Sequence, residues 1–134
     1  MAEIVYAIQI ILGIDDLDAS CPKLMPRIPI GWTDATINEW PIRAMASGES
    51  ILTKLSTSIK RDPACKRFDM TITTKKPLDK LKVRLGPFTD SASALTVKVN
   101  GTVLSAQLLK SGDSKWAWIE LKGAADYNIE SKVR

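Results

Sequence analysis

Trp116 and Trp118 are the residues whose type and spacing most clearly suggest a binding function. They stand two positions apart, so in a β-strand both side chains point to the same side. Ala117, Ile119 and Leu121 would then face the other side, and their apolar character predicts that this other side is the core. The two indoles are therefore expected on an outer face, either as the anchor of a protein interface or as a flat platform for sugar rings. The interface is favoured, because aromatic side chains anchor interfaces in general.

Two further tryptophans, Trp32 and Trp40, lie in a segment punctuated by Pro22, Pro26 and Pro29. Proline removes a backbone donor and is not compatible with a helix interior. We expect residues 15–40 to form an irregular, Pro-rich arm, and these two indoles to pin the arm to the body of the domain.

A run of basic residues is the second feature that suggests a partner. Residues 60–84 contain nine basic and three acidic side chains, whereas residues 1–50 contain three basic and seven acidic ones. The candidate contact residues in this run are Lys60, Arg61, Lys66, Arg67, Lys75, Lys76, Lys82 and Arg84. Three interpretations stay open: solvated outer faces of strands, association with an acidic protein surface, and nucleic-acid binding. The last is the weakest, because only Phe68 interleaves with the run and single-stranded nucleic acids need aromatic stacking platforms.

Several kinds of chemistry are excluded or disfavoured by the residues present. The chain has no histidine, which rules out histidine-dependent triads and histidine-ligated metal sites. The acidic stretch 15–18 does not fit a calcium-binding loop that starts at Asp16, because the sixth and twelfth positions would be Cys21 and Arg27. Phosphate-binding glycine loops are absent. We therefore expect a protein that is not an enzyme and that has no cofactor and no metal.

The two cysteines, Cys21 and Cys65, are too few for a disulfide framework or for a four-cysteine zinc site. The sequence leaves open a disulfide between them across a long loop, and the favoured interpretation is two separate, small buried hydrophobic residues in a reducing compartment. The acidic Glu3 and the missing basic segment near the start argue against a secretory leader. No apolar run is long enough for a transmembrane helix. The sequence thus predicts synthesis in a cytoplasm and no membrane partner.

The elements that must position these residues are predicted to be strands. The chain contains 14 Ile, 6 Val and 10 Thr, and β-branched side chains favour a pleated surface. Apolar residues alternate with polar ones over 51–60, which favours a strand over the competing helix. Asn100-Gly101 between two alternating stretches predicts a type I′ hairpin. We predict a single all-β domain, an antiparallel sandwich or small barrel, with an N-terminal strand (1–14), the arm (15–40) and a body (41–134).

Three stretches of the body carry a resemblance to known proteins: 85–89 (Leu-Gly-Pro-Phe-Thr), 97–101 (Val-Lys-Val-Asn-Gly) and 116–120 (Trp-Ala-Trp-Ile-Glu). Their pattern resembles the compact β-sandwich proteins of tailed bacteriophages, namely capsid decoration (cement) proteins and tail or connector subunits. It is also similar to carbohydrate-binding sandwich domains. The phage resemblance implies a non-catalytic structural subunit located in a virion, which docks onto copies of itself or onto a shell.

Two alternatives to this structural role follow from the residues. The first is a carbohydrate-binding module in which Trp116, Trp118 and nearby Asp113 contact sugar. The second is a nucleic-acid-binding β-barrel that uses the basic 60–84 face.

Overall fold

The computed structural model describes residues 13–15, 18–27 and 32–134, and within them the chain forms two packed β-sheets. The strands are β1 (Ile14–Asp15), β2 (Lys23–Leu24), β3 (Asp34–Ala46), β4 (Glu49–Arg61), β5 (Arg67–Thr74), β6 (Leu81–Phe88), β7 (Leu95–Val99), β8 (Thr102–Leu104), β9 (Leu109–Ser111), β10 (Ser114–Leu121) and β11 (Asp126–Val133). The front sheet has the order β1-β2-β6-β10-β9, and the back sheet has the order β3-β4-β5-β11-β7-β8. Neighbouring strands are antiparallel except for the parallel pair β2 and β6. The all-β sandwich is confirmed.

Alternation of apolar and polar residues builds the core between the sheets, since successive side chains of a strand point to opposite faces. Phe68 of the back sheet and Phe88 of the front sheet meet in the middle, edge to face, with ring centroids 6.5 Å apart. The largest fully buried side chains are Phe68, Phe88, Leu24, Ile42, Leu55, Met70, Ile72, Leu85, Ile129, Val83 and Val97. Both sheets therefore have one apolar inner face and one outer face.

The long hairpin of β3 and β4 corrects the predicted extent of the irregular arm. Strand β3 begins at Asp34, so residues 34–40 are strand and not arm. A bulge between Ile37 and Trp40 interrupts the pairing, with Glu39 at a φ of 53°. Pairing with β4 overrides the local irregularity, because β4 presents a continuous alternating strand to the segment. Of the predicted N-terminal strand, residues 1–12 lie outside the described residues, and Ile14 belongs to β1.

Two local predictions for the body are confirmed. Residues 51–60 lie within β4 and pair with β3, and residues 55–60 also pair with β5, so the alternation indicates a strand and not a helix. Asn100 and Gly101 join β7 to β8 with φ angles of 50° and 82°, the left-handed values that a type I′ turn requires at both positions.

The connection between β5 and β6, residues 75–80, carries the chain from the back sheet to the front sheet. Leu78 anchors it in the core, with only 2% of its surface exposed. The Asp79 carboxylate accepts hydrogen bonds from the backbone N–H groups of Ser47 and Gly48, at 2.9 and 3.0 Å. This crossing separates residues that are close in sequence onto opposite faces of the molecule.

No described segment forms a helix with the length and apolarity of a transmembrane span.

Candidate functional site

The outer face of the front sheet carries the tryptophan pair predicted from the sequence. On β10, Ala117, Ile119 and Leu121 are buried, with at most 5% of their surfaces exposed. Trp118 points outward and exposes 37% of its surface, and Trp116 beside it is half-buried. The prediction that both indoles share an outer face is confirmed.

The strand register decides which side chains surround the indoles. Arg84 of β6 lies directly opposite Trp118, and Lys82 lies opposite Glu120. On the other side of β10, Leu109 of β9 lies opposite Trp116 and exposes half of its surface. Directly paired residues share a face and lie close enough for their side chains to interact. The face therefore combines indoles, one leucine and charged groups.

Arg84 is packed against Trp116, with the guanidinium carbon 4.0 Å from the ring centroid. This is a cation–π contact, in which the positive guanidinium faces the electron-rich side of the indole. The contact also makes the predicted platform smaller, because the Arg84 side chain already covers the ring of Trp116. Trp118 is thus the more available of the two indoles.

Two nitrogen atoms of the Arg84 guanidinium lack polar partners. These atoms, Nε and Nη2, are shielded from solvent and have no hydrogen-bond acceptor. Within the described part of the chain, no carboxylate forms a salt bridge with it. Burial and, to a smaller extent, the positive charge of Arg27 lower the pKa of Arg84 from its ordinary value. The side chain stays protonated at neutral pH, because an arginine pKa lies far above that range.

Gly86 shapes the neighbourhood of Trp116. It adopts a φ of 128°, and a Cβ placed on it would lie 3.0 Å from Cε3 of Trp116 and 3.1 Å from the carbonyl oxygen of Lys115. The pairing of β10 with β6 shifts register between Lys115 and Ala117, which places the irregularity beside Gly86. Trp116 is therefore seated where the partner strand has no side chain. The sequence pattern predicted neither this role of Gly86 nor the stacking of Arg84, because both depend on the bulge.

The basic residues of 60–84 do not share one face. Lys60 and Arg67 lie on the back sheet, Lys82 and Arg84 belong to the front sheet, and the crossing connection holds Lys75, Lys76 and Lys80. The remaining two, Arg61 and Lys66, lie at the end of β4 and in the loop before β5. The predicted single basic face is wrong, because the chain changes sheets at residues 75–80.

On the back sheet, basic side chains alternate with acidic ones. Arg67 Nε donates to Asp69 Oδ2 at 2.8 Å, and this carboxylate raises the pKa of Arg67. Lys60 lies opposite Asp69, and Lys98 lies opposite Glu130. An open cavity of about 330 Å³ on this face is lined by Arg67, Lys98, Glu130 and their neighbours. Four of the seven residues that line this cavity are basic and one is acidic, so the cavity itself has a net positive charge.

The other two tryptophans behave differently from each other. Trp40 packs against the core, which agrees with its predicted pinning role, although it does so from strand β3. Trp32 exposes 49% of its surface, so its indole does not pin the arm as predicted. The carbonyl oxygen of Trp32 instead accepts a hydrogen bond from Arg61 Nη2 at 2.7 Å.

The remaining sequence candidates have structural roles in the described residues. Cys21 and Cys65 are unpaired, but both are half-buried and not fully buried as predicted. The Asp18 carboxylate accepts hydrogen bonds from the N–H and hydroxyl of Ser20, which lower the pKa of Asp18. No group of three potential metal ligands occurs among the residues described. Asp113 lies in the exposed turn that joins β9 to β10.

Comparisons with known proteins reveal a likeness in fold. A structure of an α-L-rhamnosidase from Dictyoglumus thermophilum superposes with a TM-score of 0.56 and 16% sequence identity. The match covers 95% of this chain but 13% of the rhamnosidase chain. No protein-family model matches the sequence, and no curated protein matches it. A sandwich like this one therefore occurs as a small part of a much longer enzyme.

Proposed function

We propose that this chain is a non-catalytic β-sandwich module that binds a saccharide on the outer face of its front sheet. The observation that carries the proposal is the position of Trp118. Its indole is exposed on a sheet whose opposite face already fills the core, and Trp116 lies beside it on the same strand.

The chemistry of an exposed indole suits a sugar ring. The face of an indole carries partial negative charge, and it attracts groups with partial positive charge. The C–H groups on one side of a pyranose ring have that character, while the hydroxyl groups at its rim stay available to polar neighbours. Lys82, Glu120 and Arg84 supply such neighbours around Trp118. The occurrence of a similar fold inside a rhamnosidase gives this proposal further support.

A glycan array probed with the intact protein tests the proposal. We expect at least one class of oligosaccharide to bind, and Trp118→Ala to weaken that binding by about tenfold or more, since loss of one stacking contact is worth about 1.4 kcal/mol. Trp32→Ala is the matched control, because it removes an exposed indole from another part of the surface. We expect that variant to bind within about twofold of the wild type. Absence of binding to any glycan, or equal losses in both variants, would refute the proposal.

Docking of a protein onto the same face is the second candidate function. It is favoured by the three large side chains Trp116, Trp118 and Leu109, which lie together on the outer face, because aromatic residues are enriched at the centres of interfaces. The phage virion subunit remains a prediction of this second type. Sedimentation analysis of the pure protein tests self-association. A dimer or larger oligomer that Trp118→Ala dissociates would favour docking over sugar binding, whereas a strict monomer would count against self-association.

A further inference from the structure

We infer that the saccharide bound on this face is acidic, and that Arg84 recognises its carboxylate. The inference rests on the proposed function and specifies the class of ligand. Arg84 lies directly opposite Trp118, so a sugar stacked on that indole places its ring substituents next to the guanidinium.

The charged groups of the front sheet single out Arg84. Asp15 lies opposite Lys23, and Glu120 lies opposite Lys82, so each of these lysines has an acidic neighbour across the strand pair. The cross-strand neighbour of Arg84 is Trp118, and its stacking partner is Trp116. Arg84 is thus a cation among aromatic rings, without a carboxylate partner in the described residues.

The buried nitrogen atoms of Arg84 lack hydrogen-bond acceptors, which a carboxylate would supply. A charged donor that is removed from water and left without an acceptor costs free energy, and such groups in native proteins call for an explanation. Nε and Nη2, the two unpartnered atoms, point from the same edge of the guanidinium. That edge can donate two parallel hydrogen bonds to one carboxylate, a geometry that a lysine cannot reproduce.

The contact with Trp116 prepares Arg84 for such a ligand. Stacking holds the guanidinium plane against the indole, and the nearby positive charge of Arg27 adds to the local attraction for an anion. Both atoms are covered in this structure, so binding requires the guanidinium to move until this edge meets the carboxylate.

Matched acidic and neutral probes test the inference separately from the proposed function. The probes are oligogalacturonate and sialyl-lactose, each compared with its own methyl ester on the same array. The ester keeps the ring and removes the charge. We expect the wild type to bind the free acid of at least one pair about tenfold more tightly than its ester. We expect Arg84→Met, which keeps an unbranched side chain over Trp116, to abolish this preference, so that the variant binds acid and ester with affinities within about twofold of each other.

Lys98→Met is the control, because it removes a cation from the outer face of the back sheet. It should leave both affinities unchanged. Equal affinity for acid and ester, or an acid preference that survives Arg84→Met, would overturn the inference while sugar binding itself stands. If neither probe pair nor any neutral glycan binds, the inference fails together with the proposed function. Circular dichroism of each variant checks that the sandwich is intact.

Discussion

The two outer faces of the sandwich are built by the same alternation of residues but differ in how their charges are paired. On the back sheet, Arg67 forms a 2.8 Å ion pair with Asp69, although it also lies opposite Lys132 across the strand pair. On the front sheet, Arg84 has aromatic neighbours and no such pair. The outer face of the back sheet thus has a charged group with an ion-pair partner, whereas the front sheet has a charged group whose buried nitrogen atoms lack an acceptor.

Exposed apolar side chains show the same difference. Leu52 and Val103 expose 77% and 64% of their surfaces on the back sheet, but they lie on different strands and far apart in the sheet order. Scattered exposed hydrophobic residues are normal on soluble proteins. On the front sheet, Trp118 and Leu109 flank Trp116. It is this grouping, and not exposure alone, that points to binding.

Substitution of Gly86 is expected to destabilise the protein more than the other variants considered below. In Gly86→Ala, a methyl group would approach both Trp116 and the Lys115 carbonyl at a φ of 128°, so we expect the free energy of unfolding to fall by about 3 kcal/mol. Gly123→Ala is the control, because Gly123 has a φ of 85° and open space around it. It should cost only about 1 kcal/mol. Urea unfolding measures both, and equal losses would show that Trp116 does not depend on the space at Gly86.

Removing one arginine from each face should shift stability in opposite directions. Arg84→Met deletes two buried nitrogen atoms without acceptors and keeps a contact to Trp116, so we expect the free energy of unfolding to rise by about 1 kcal/mol. Arg67→Met deletes the partner of Asp69 in an exposed ion pair and should lower the free energy of unfolding slightly. Thermal unfolding compares the two variants. A clear loss of stability in Arg84→Met would show that the guanidinium is a structural element of the sheet.

The smallest effect is expected for the stability that the ion pair of Arg67 and Asp69 contributes on the back sheet, and for its dependence on salt. Asp69→Asn removes the carboxylate that pairs with Arg67, and at low ionic strength it should destabilise the protein by about 0.5 kcal/mol. Added salt screens exposed ion pairs, so the difference from the wild type should shrink at about 1 M salt. Parallel urea titrations at both ionic strengths provide the measurement. A difference that stays constant with salt would mean that the ion pair does not account for the loss.

Alternation and turn residues by themselves determined much of this protein. The strand 51–60, the Asn100-Gly101 hairpin and the outward direction of Trp116 and Trp118 all follow from local rules, because strand period and left-handed turn preferences act between near neighbours. The same local rules predicted an all-β fold, as either a sandwich or a small barrel.

Tertiary structure alone decided which side chains meet. The chain crosses between the sheets at residues 75–80, and this separates Arg67 from Arg84 although they belong to one basic run. The register of β6 against β10 places Arg84 opposite Trp118, and the bulge beside Gly86 seats Trp116 under the guanidinium. These relations do not follow from local sequence, because pairing between distant strands depends on the packing of the whole core and not on the residues next to each position.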